Sequence, residues 1–133
     1  MPILSVQLST PPSVKQSSAV AATLAHLTAD ILHKKPEVIS IAISHVDPAH
    51  WFIGGSSLRE HGKTSFFLDA RITDETNTAH EKALYIAQVF AEMALLLGDL
   101  HHASSIHVHD VRAAAYGYGG VTQQYRAIVA QLR

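Results

Sequence analysis

The sequence contains no cysteine, and its charge shows no marked excess of either sign. The missing thiols exclude disulfide bridges, thiolate catalysis and cysteine-based zinc sites. Lysine and arginine together number 10, against 11 aspartate and glutamate residues, which gives a formal net charge of −1. We therefore expect neither a nucleic-acid partner nor a basic membrane-binding surface.

Long apolar runs are also missing. No stretch reaches the ~18 apolar residues that span a bilayer, and the N-terminal region lacks the basic and apolar segments of a signal peptide. These features predict a cytoplasmic protein. The length of 133 residues and a hydrophobic content of 47% predict a single domain, residues 1–133, with one packed core.

Strand and helix patterns alternate along the chain. Apolar or alternating runs predict strands, whereas i, i+3, i+4 spacing and capping signals predict helices. The predicted strands cover residues 3–8, 38–46, 65–72 and 104–111. The predicted helices cover residues 13–33 and 78–97, and a short helix follows Thr122. In the first helix, the predicted buried face consists of these residues: Ala21, Leu24, Ala25, Thr28, Ile31 and Leu32.

This order predicts an α/β fold of two β-α-β units, approximately residues 2–57 and 58–120. Each long helix can carry the chain back across a sheet, so the two strands of a unit should be parallel. We expect both helices on one face of a four-stranded sheet, the face that carries Ile39, Ile41, Ile43, Ile106 and Val108. The other face then needs a cover, and another copy of the chain is the simplest candidate.

Pro2 stands directly before the first predicted strand. Removal of Met1, which is usual before a small residue, would leave Pro2 with a secondary amine at the chain terminus. An α-amino group titrates near pH ~8, and burial or nearby cations lower that pKa toward the range of a general base at neutral pH. The alternative is an edge-strand proline without a chemical role, whose missing N–H costs nothing.

Several of these features together resemble the tautomerase superfamily, which includes oxalocrotonate tautomerase and macrophage migration inhibitory factor. They are Pro2, the repeated β-α-β order, and the segment 47–57 with its aromatic residues and Gly-Gly pair. The resemblance implies a homotrimer of β-α-β-β-α-β subunits. Each subunit would have a four-stranded mixed sheet, two helices on one face and a short C-terminal helix, and the active sites would lie at subunit boundaries.

The resemblance also implies a cofactor-independent isomerase that interconverts the keto and enol forms of a small 2-oxo acid, or of an enol such as that of phenylpyruvate. Pro2 would move the proton, while cations or hydrogen-bond donors stabilise the enolate. One alternative is a hydratase, dehalogenase or decarboxylase of the same superfamily, in which a carboxylate such as Asp110 or Glu60 would activate water. Another is a non-catalytic trimeric binding module.

Six residues are candidates for substrate binding beside Pro2: Lys34, Trp51, Arg71, Ser105, His107 and Tyr118. Lys34 matches a lysine that lines the site in the inhibitory-factor branch, although it could instead interact with the negative end of the first helix. Trp51 falls near the family's active-site aromatic, although it could instead be a packing residue. Tyr118 falls in the segment that closes over the site, although its Gly-rich surroundings also fit an ordinary turn with a solvent-facing ring. Ser105 and His107 align with a tyrosine and an asparagine of that branch.

Arg71 is a candidate on chemical grounds alone, because a guanidinium can hold a carboxylate through two hydrogen bonds. Arg112 shares this property, and the alternative for each of the two arginines is solvation at the protein surface. The arginines that hold a dicarboxylate in oxalocrotonate tautomerase have no counterparts near Thr10 or at Ser40. We therefore do not expect that dicarboxylate as the substrate.

Histidine is frequent, with 10 residues, and His107 and His109 share one face of a predicted strand. Such spacing can support two imidazole metal ligands. However, Asp110 points to the opposite face, so no carboxylate completes the set. We expect no metal and no cofactor. His107 is instead predicted to be a polar or titrating group near Pro2, which would make activity change between pH 5 and 8.

Overall fold

The computed structural model describes residues 1–132. The strands are β1 (Ile3–Leu8), β2 (Ser40–His45), β3 (Phe52–Ile53), β4 (Ser56–Ser57), β5 (Phe66–Thr73), β6 (Ser105–Val111), β7 (Gly117–Tyr118) and β8 (Val121–Thr122). The helices are α1 (Val14–Ile31), α2 (Leu58–His61), α3 (Ala79–Leu97) and α4 (Gln123–Gln131). Within the described part of the chain, no helix is long and apolar enough to cross a membrane.

Four strands form one mixed sheet in the order β2-β1-β5-β6. β1 pairs in parallel with β2, and β5 pairs in parallel with β6, as predicted for two β-α-β units. The units meet where β1 and β5 run antiparallel, with Val6 opposite Leu68. One continuous sheet therefore holds both halves of the chain together.

The hydrophobic core lies between one face of this sheet and the two long helices. Leu4, Val6 and Leu8 alternate along β1 with exposed residues, so only one face of that strand is buried. The same buried cluster contains Leu24 of α1 and Val89 of α3. The sheet residues predicted for this face pack against that cluster: Ile39, Ile41, Ile43, Ile106 and Val108. The predicted α/β fold with both helices on one face is confirmed.

The buried stripe of α1 agrees with the predicted one in part. The structure buries Leu24, Thr28 and Leu32 and packs Ile31 against the core, as predicted. Val20 and Leu27 are buried in addition, whereas Ala21 and Ala25 are partly exposed. Val and Leu remove more apolar surface from water than Ala does, so the larger side chains decide which side of the helix faces the core.

The structure also differs from the sequence prediction between the main elements. Residues Pro36–Val38 form a 3₁₀ turn, so β2 begins at Ser40 rather than at residue 38. Gly54-Gly55, which the sequence predicted in a loop, closes the hairpin β3–β4, and Gly119-Gly120 closes the hairpin β7–β8. All four of these glycines have positive φ angles. Two-residue hairpins of this kind need such angles, which glycine adopts readily.

The opposite face of the sheet is polar and open to solvent in the single chain. Ser5, Arg71, His107 and His109 are exposed there. Asp69 lies among them, with Oδ1 2.9 Å from His109 Nε2 and Oδ2 3.8 Å from Arg71 Nη2. A sheet with parallel strand pairs is rarely left bare on one face. Cover by another copy of the chain therefore stays the prediction for this surface.

Candidate active site

Pro2 lies immediately before β1, where it lines an open cleft of about 920 Å³. The residue is buried, and its carbonyl oxygen accepts a hydrogen bond of 3.1 Å from the Ser40 backbone N–H. Met1 precedes it in the cleft, with its amine 3.5 Å from Gln123 Oε1. A smaller open groove of about 630 Å³ between α1 and α3 contains no proline, lysine or arginine. We therefore place the candidate site at Pro2.

Lys34 reaches the cleft from the turn that follows α1. The preceding residue, His33, has a φ of 58°, in the left-handed region that non-glycine residues seldom adopt. Lys34 Nζ donates a hydrogen bond of 2.8 Å to Thr76 Oγ1, just before α3. Burial lowers the pKa of Lys34, and the negative charges of Glu81 and Asp110 oppose this effect.

The second hairpin and α4 supply another wall of the cleft. Thr122 Oγ1 accepts a 3.0 Å hydrogen bond from the Tyr125 backbone N–H and begins α4. Gln123 and Arg126 are three residues apart, so they share one face of this helix. Arg126 Nη2 donates to the Tyr118 carbonyl oxygen at 2.8 Å, and its guanidinium carbon lies 3.9 Å from the centroid of the Tyr118 ring. These contacts fix both side chains beside the cleft.

Positive charge surrounds the amino terminus in this cleft. Burial is the largest cause that lowers the pKa of the Met1 amine below its usual value, and the charges of Lys34 and Arg126 lower it further. Glu37, which is exposed, is the carboxylate among the described residues that line the cleft. An amine in this position loses its proton more readily than a solvated one.

Three of the seven predicted site residues line this cleft: Pro2, Lys34 and Tyr118. The other four do not line it in the single chain: Trp51, Arg71, Ser105 and His107. Trp51 precedes β3, where its carbonyl oxygen accepts a hydrogen bond from Leu58 N. The remaining three lie on the open sheet face, in β5 and β6. Their role in a site shared between subunits stays a prediction.

The histidines of β6 lie on the open sheet face, away from the cleft of their own chain. The rings of His107 and His109 stack with centroids 6.1 Å apart, and His107 also stacks on Phe67 at 5.1 Å. Among residues 1–132, no group of three or more His, Asp or Glu side chains is arranged to hold a metal ion. His109 Nε2 instead lies 2.9 Å from Asp69 Oδ1, a contact that becomes an ion pair when the imidazole is protonated.

Arg126 and Gln123 line the cleft but were missed by the sequence prediction. The sequence contains part of the information needed to find them, because Thr122 predicts the start of a helix. The i, i+3 spacing then places Gln123 and Arg126 on one face of that helix. The approach of Arg126 to the Tyr118 ring depends on how α4 folds back on the hairpin. Local sequence patterns do not contain that information.

Comparisons with known proteins bear on both sequence and fold. Residues 2–61 match a family model described as a tautomerase enzyme. No curated protein matches the chain. Among solved structures, the wild-type fused 4-OT asymmetric trimer designated F6 has a TM-score of 0.81 and 20% identity, over 93% of this chain and 98% of that one.

Two further solved structures are similar in fold. MIF2 of Leishmania major has a TM-score of 0.75 and 14% identity, over 92% of this chain and 97% of that one. Pt0534 inactivated by 2-oxo-3-pentynoate has a TM-score of 0.81 and 10% identity, over 93% of this chain and 98% of that one. At these identities the likeness concerns the fold, and it extends over both halves of the chain.

Proposed function

We propose that this protein interconverts the keto and enol forms of a small 2-oxo acid without a cofactor. The chain resembles the tautomerase superfamily in sequence over residues 2–61 and in fold over nearly its whole length. Pro2 is the proposed acid and base. The observation that most supports this proposal is the position of Pro2 beside β1, in a cleft that also contains Lys34 and Arg126.

The proposed chemistry begins with removal of Met1, which turns the Pro2 nitrogen from a tertiary amide into a secondary amine. The burial and positive charge that act on the Met1 amine would favour the neutral form of this amine, which accepts a proton. Neutral Pro2 removes a proton from the carbon next to the substrate carbonyl, and the resulting ammonium returns it at another atom. The positive charge of Lys34 stabilises the oxygen that becomes negative in the enolate.

We also propose that the chain acts as a homotrimer of single-domain subunits. The F6 fused 4-OT structure is itself described as a trimer. The open polar face supports the proposal, because contact with a neighbour there would place Arg71, Ser105 and His107 at a subunit boundary. Sedimentation velocity at micromolar concentration tests it, and a stable monomer would contradict it. The cytoplasmic location stays a prediction from the sequence.

The hydratase, dehalogenase or decarboxylase alternative receives less support from the cleft. Asp110 Oδ2 is 2.6 Å from Lys82 Nζ, and Glu60 Oε1 accepts a hydrogen bond of 3.3 Å from Ser57 Oγ. Neither carboxylate lines the cleft. Within residues 1–132, Glu37 is the carboxylate that could activate a water there, and it is exposed.

The central test compares wild type with Pro2→Ala in the ketonisation of phenylpyruvate enol, after mass spectrometry has established that Met1 is absent. We expect kcat/KM to fall about 100-fold, the usual scale for loss of a positioned general base. Pro11→Ala is the matched control, because Pro11 is exposed in the loop before α1. Its activity should stay within about twofold of wild type. Equal activity of Pro2→Ala and wild type would reject the mechanism.

Covalent labelling separates an active amine from an inert scaffold. A reactive 2-oxo acid, 3-bromopyruvate, should alkylate the Pro2 nitrogen of the mature wild type, and peptide mapping should locate the adduct there. The adduct should be absent from protein that retains Met1, because the nitrogen is then an amide. Absence of both turnover and a Pro2 adduct in the mature protein would favour a non-catalytic binding module.

A further inference from the structure

We propose that Arg126 binds the carboxylate group of the substrate and thereby selects carboxylate ligands over neutral ones. This inference rests on the proposed function in one respect, which is that the bound carboxylate belongs to a substrate that reacts at Pro2. Recognition of a carboxylate by Arg126 can be measured without turnover, so the two proposals can fail separately.

Arg126 has a positive charge and N–H donors that the described residues leave available to a ligand. Among residues 1–132, no Asp or Glu oxygen lies within 4.0 Å of its guanidinium. Nη2 is bonded to the Tyr118 carbonyl oxygen, whereas the buried Nε has no hydrogen-bond partner among the described residues. A planar guanidinium with unused N–H groups matches the two oxygens of a carboxylate.

The hairpin of the first half has a histidine where the second half has Arg126. His61 occupies the position in α2 that Arg126 occupies in α4, each four residues beyond its helix cap, Ser57 or Thr122. A ring nitrogen of His61, Nε2, is 2.9 Å from the Ile53 carbonyl oxygen, just as Arg126 Nη2 is 2.8 Å from that of Tyr118. An imidazole is therefore sufficient to hold this carbonyl group. The arginine adds a permanent charge, and that charge lies at the cleft.

Gly119 makes room for the guanidinium at this position. A Cβ atom on Gly119 would lie 2.8 Å from Arg126 Nη2, closer than real Cβ contacts. At the equivalent Gly54, an added Cβ would meet nothing within 4 Å. The second hairpin thus allows the arginine to lie against the backbone and over the Tyr118 ring, which limits its motion before a ligand binds.

Lys34 and Arg126, two of the cations that line the cleft, can bind different groups of the substrate. Lys34 comes from the turn after α1, and Arg126 comes from α4, so they approach the amino terminus from different elements. A 2-oxo acid carries a carboxylate next to its carbonyl group. With the carboxylate on Arg126, Lys34 remains available to the carbonyl oxygen that becomes negative in the enolate.

The test measures binding of phenylacetate and of its neutral isostere phenylacetamide, neither of which undergoes the proposed reaction. Dissociation constants are determined by calorimetry on mature protein at pH 8. Wild type should bind phenylacetate at least tenfold more tightly than phenylacetamide. Arg126→His should weaken phenylacetate binding at least fivefold and change phenylacetamide binding less than twofold, because the imidazole can still hold the Tyr118 carbonyl group.

The control is Arg59→His, which removes the same charge from α2. Arg59 is exposed, lies 3.4 Å from Asp47 and does not line the cleft. Its affinity for phenylacetate should stay within twofold of wild type. Selectivity for phenylacetate that falls less than fivefold in Arg126→His, or equal loss of both ligands, would overturn the proposal.

Wild type supplies a second test if the Arg126→His protein does not fold. The NMR signal of the Arg126 Nε–H group should shift on addition of phenylacetate and should stay unchanged with phenylacetamide. A signal that responds to neither ligand overturns the proposal. A wild type that binds phenylacetate through Arg126, but neither ketonises phenylpyruvate enol nor forms a Pro2 adduct with 3-bromopyruvate, would sustain this inference and contradict the proposed isomerase.

Discussion

The first hairpin, β3–β4 followed by α2, and the second, β7–β8 followed by α4, make the same set of backbone contacts. Leu58 N donates to the Trp51 carbonyl oxygen at 2.8 Å, and Gln123 N donates to that of Tyr116 at 2.9 Å. A hydroxyl caps each helix, from Ser57 in one half and from Thr122 in the other. Both turns are Gly-Gly pairs with positive φ angles.

The same comparison shows where the halves differ in chemistry. The turn after α1 presents Lys34, whereas the matching turn after α3 presents Asp99. Pro2 directly precedes the residue that pairs with the first residue of β2, and Phe66 directly precedes the residue that pairs with the first residue of β6. Phe66 is therefore the counterpart of Pro2 in the second half, but it is fully buried inside the chain and has no free amine. The halves therefore share the contacts that build the fold and differ at the positions that give one end a cationic cleft.

Lys34→Gln should have the largest effect of the changes that test this difference. Loss of the cation removes stabilisation of the enolate, so we expect kcat/KM with phenylpyruvate enol to fall about 10- to 100-fold. The positive charge lowers the pKa of the amine beside it. We expect the same effect on the Pro2 amine once Met1 is removed. Without the charge of Lys34 that amine should hold its proton more strongly, and the acidic limb of the profile of kcat/KM against pH should move to higher pH.

Lys15→Gln provides the control for Lys34→Gln, because Lys15 is exposed on α1 and lies outside the cleft. Its kinetics should match wild type within twofold. If Lys34 served mainly the end of α1, Lys34→Gln would instead lower the free energy of unfolding by about 0.3–1 kcal/mol and leave the pH profile unchanged.

The residues that end the two long helices give a second, smaller test. Gly98 has a φ of 68° and a ψ of 152°, a conformation that is essentially restricted to glycine. An added Cβ would meet nothing within 4 Å. Gly98→Ala should therefore lower the free energy of unfolding by about 1–3 kcal/mol through backbone strain alone. Urea denaturation measures the change.

His33 occupies the matching place after α1, with a φ of 58°. His33→Gly should raise the free energy of unfolding by less than about 1 kcal/mol, because relief of the left-handed strain exceeds the entropy cost of glycine. His33→Ala keeps the strain and removes only the side chain, which is 3.0 Å from Glu81. The same effect of His33→Gly and His33→Ala would show that the backbone conformation is not the cause.

The main elements were predictable because their patterns are local. Ile39, Ile41 and Ile43 alternate with small polar or Ala residues, and Thr78 and Glu81 form the predicted capping box that begins α3. The antiparallel contact of β1 with β5 does not follow from periodicity. It was implied by the family resemblance, because strand periodicity indicates which residues share a face and does not identify the neighbouring strand.

The candidate site was predictable only where one residue could be matched to the family pattern. Pro2 and Lys34 were matched to site residues through the family resemblance, and both line the cleft. Arg126 acquires its role from a contact between α4 and the ring of Tyr118, which is a tertiary event. His107 lies on a face whose partner is another copy of the chain in the proposed trimer, so its surroundings depend on assembly.

The third test concerns the packing of α1 against α3, where the halves meet through a polar pair. Thr28 Oγ1 donates to the Leu24 carbonyl oxygen at 2.6 Å, so the buried Tyr85 hydroxyl donates to Thr28 Oγ1 at 2.9 Å. Tyr85→Phe removes one hydrogen bond and leaves no donor unpaired. It should lower the free energy of unfolding by about 1 kcal/mol at pH 7, measured by urea denaturation.

Alkaline pH should reverse the order of the Tyr85→Phe and wild-type stabilities. Burial raises the pKa of Tyr85 from its usual value of 10.0 to about 12, so between these values the folded state retains a proton that the unfolded state has lost. Wild-type stability should therefore fall as pH rises above 10, by on the order of 2 kcal/mol near pH 12. Tyr85→Phe lacks this contribution, and parallel curves for the two proteins would contradict the burial of a neutral phenol. Tyr125→Phe is the control, because that ring is exposed and its removal should leave the wild-type curve unchanged.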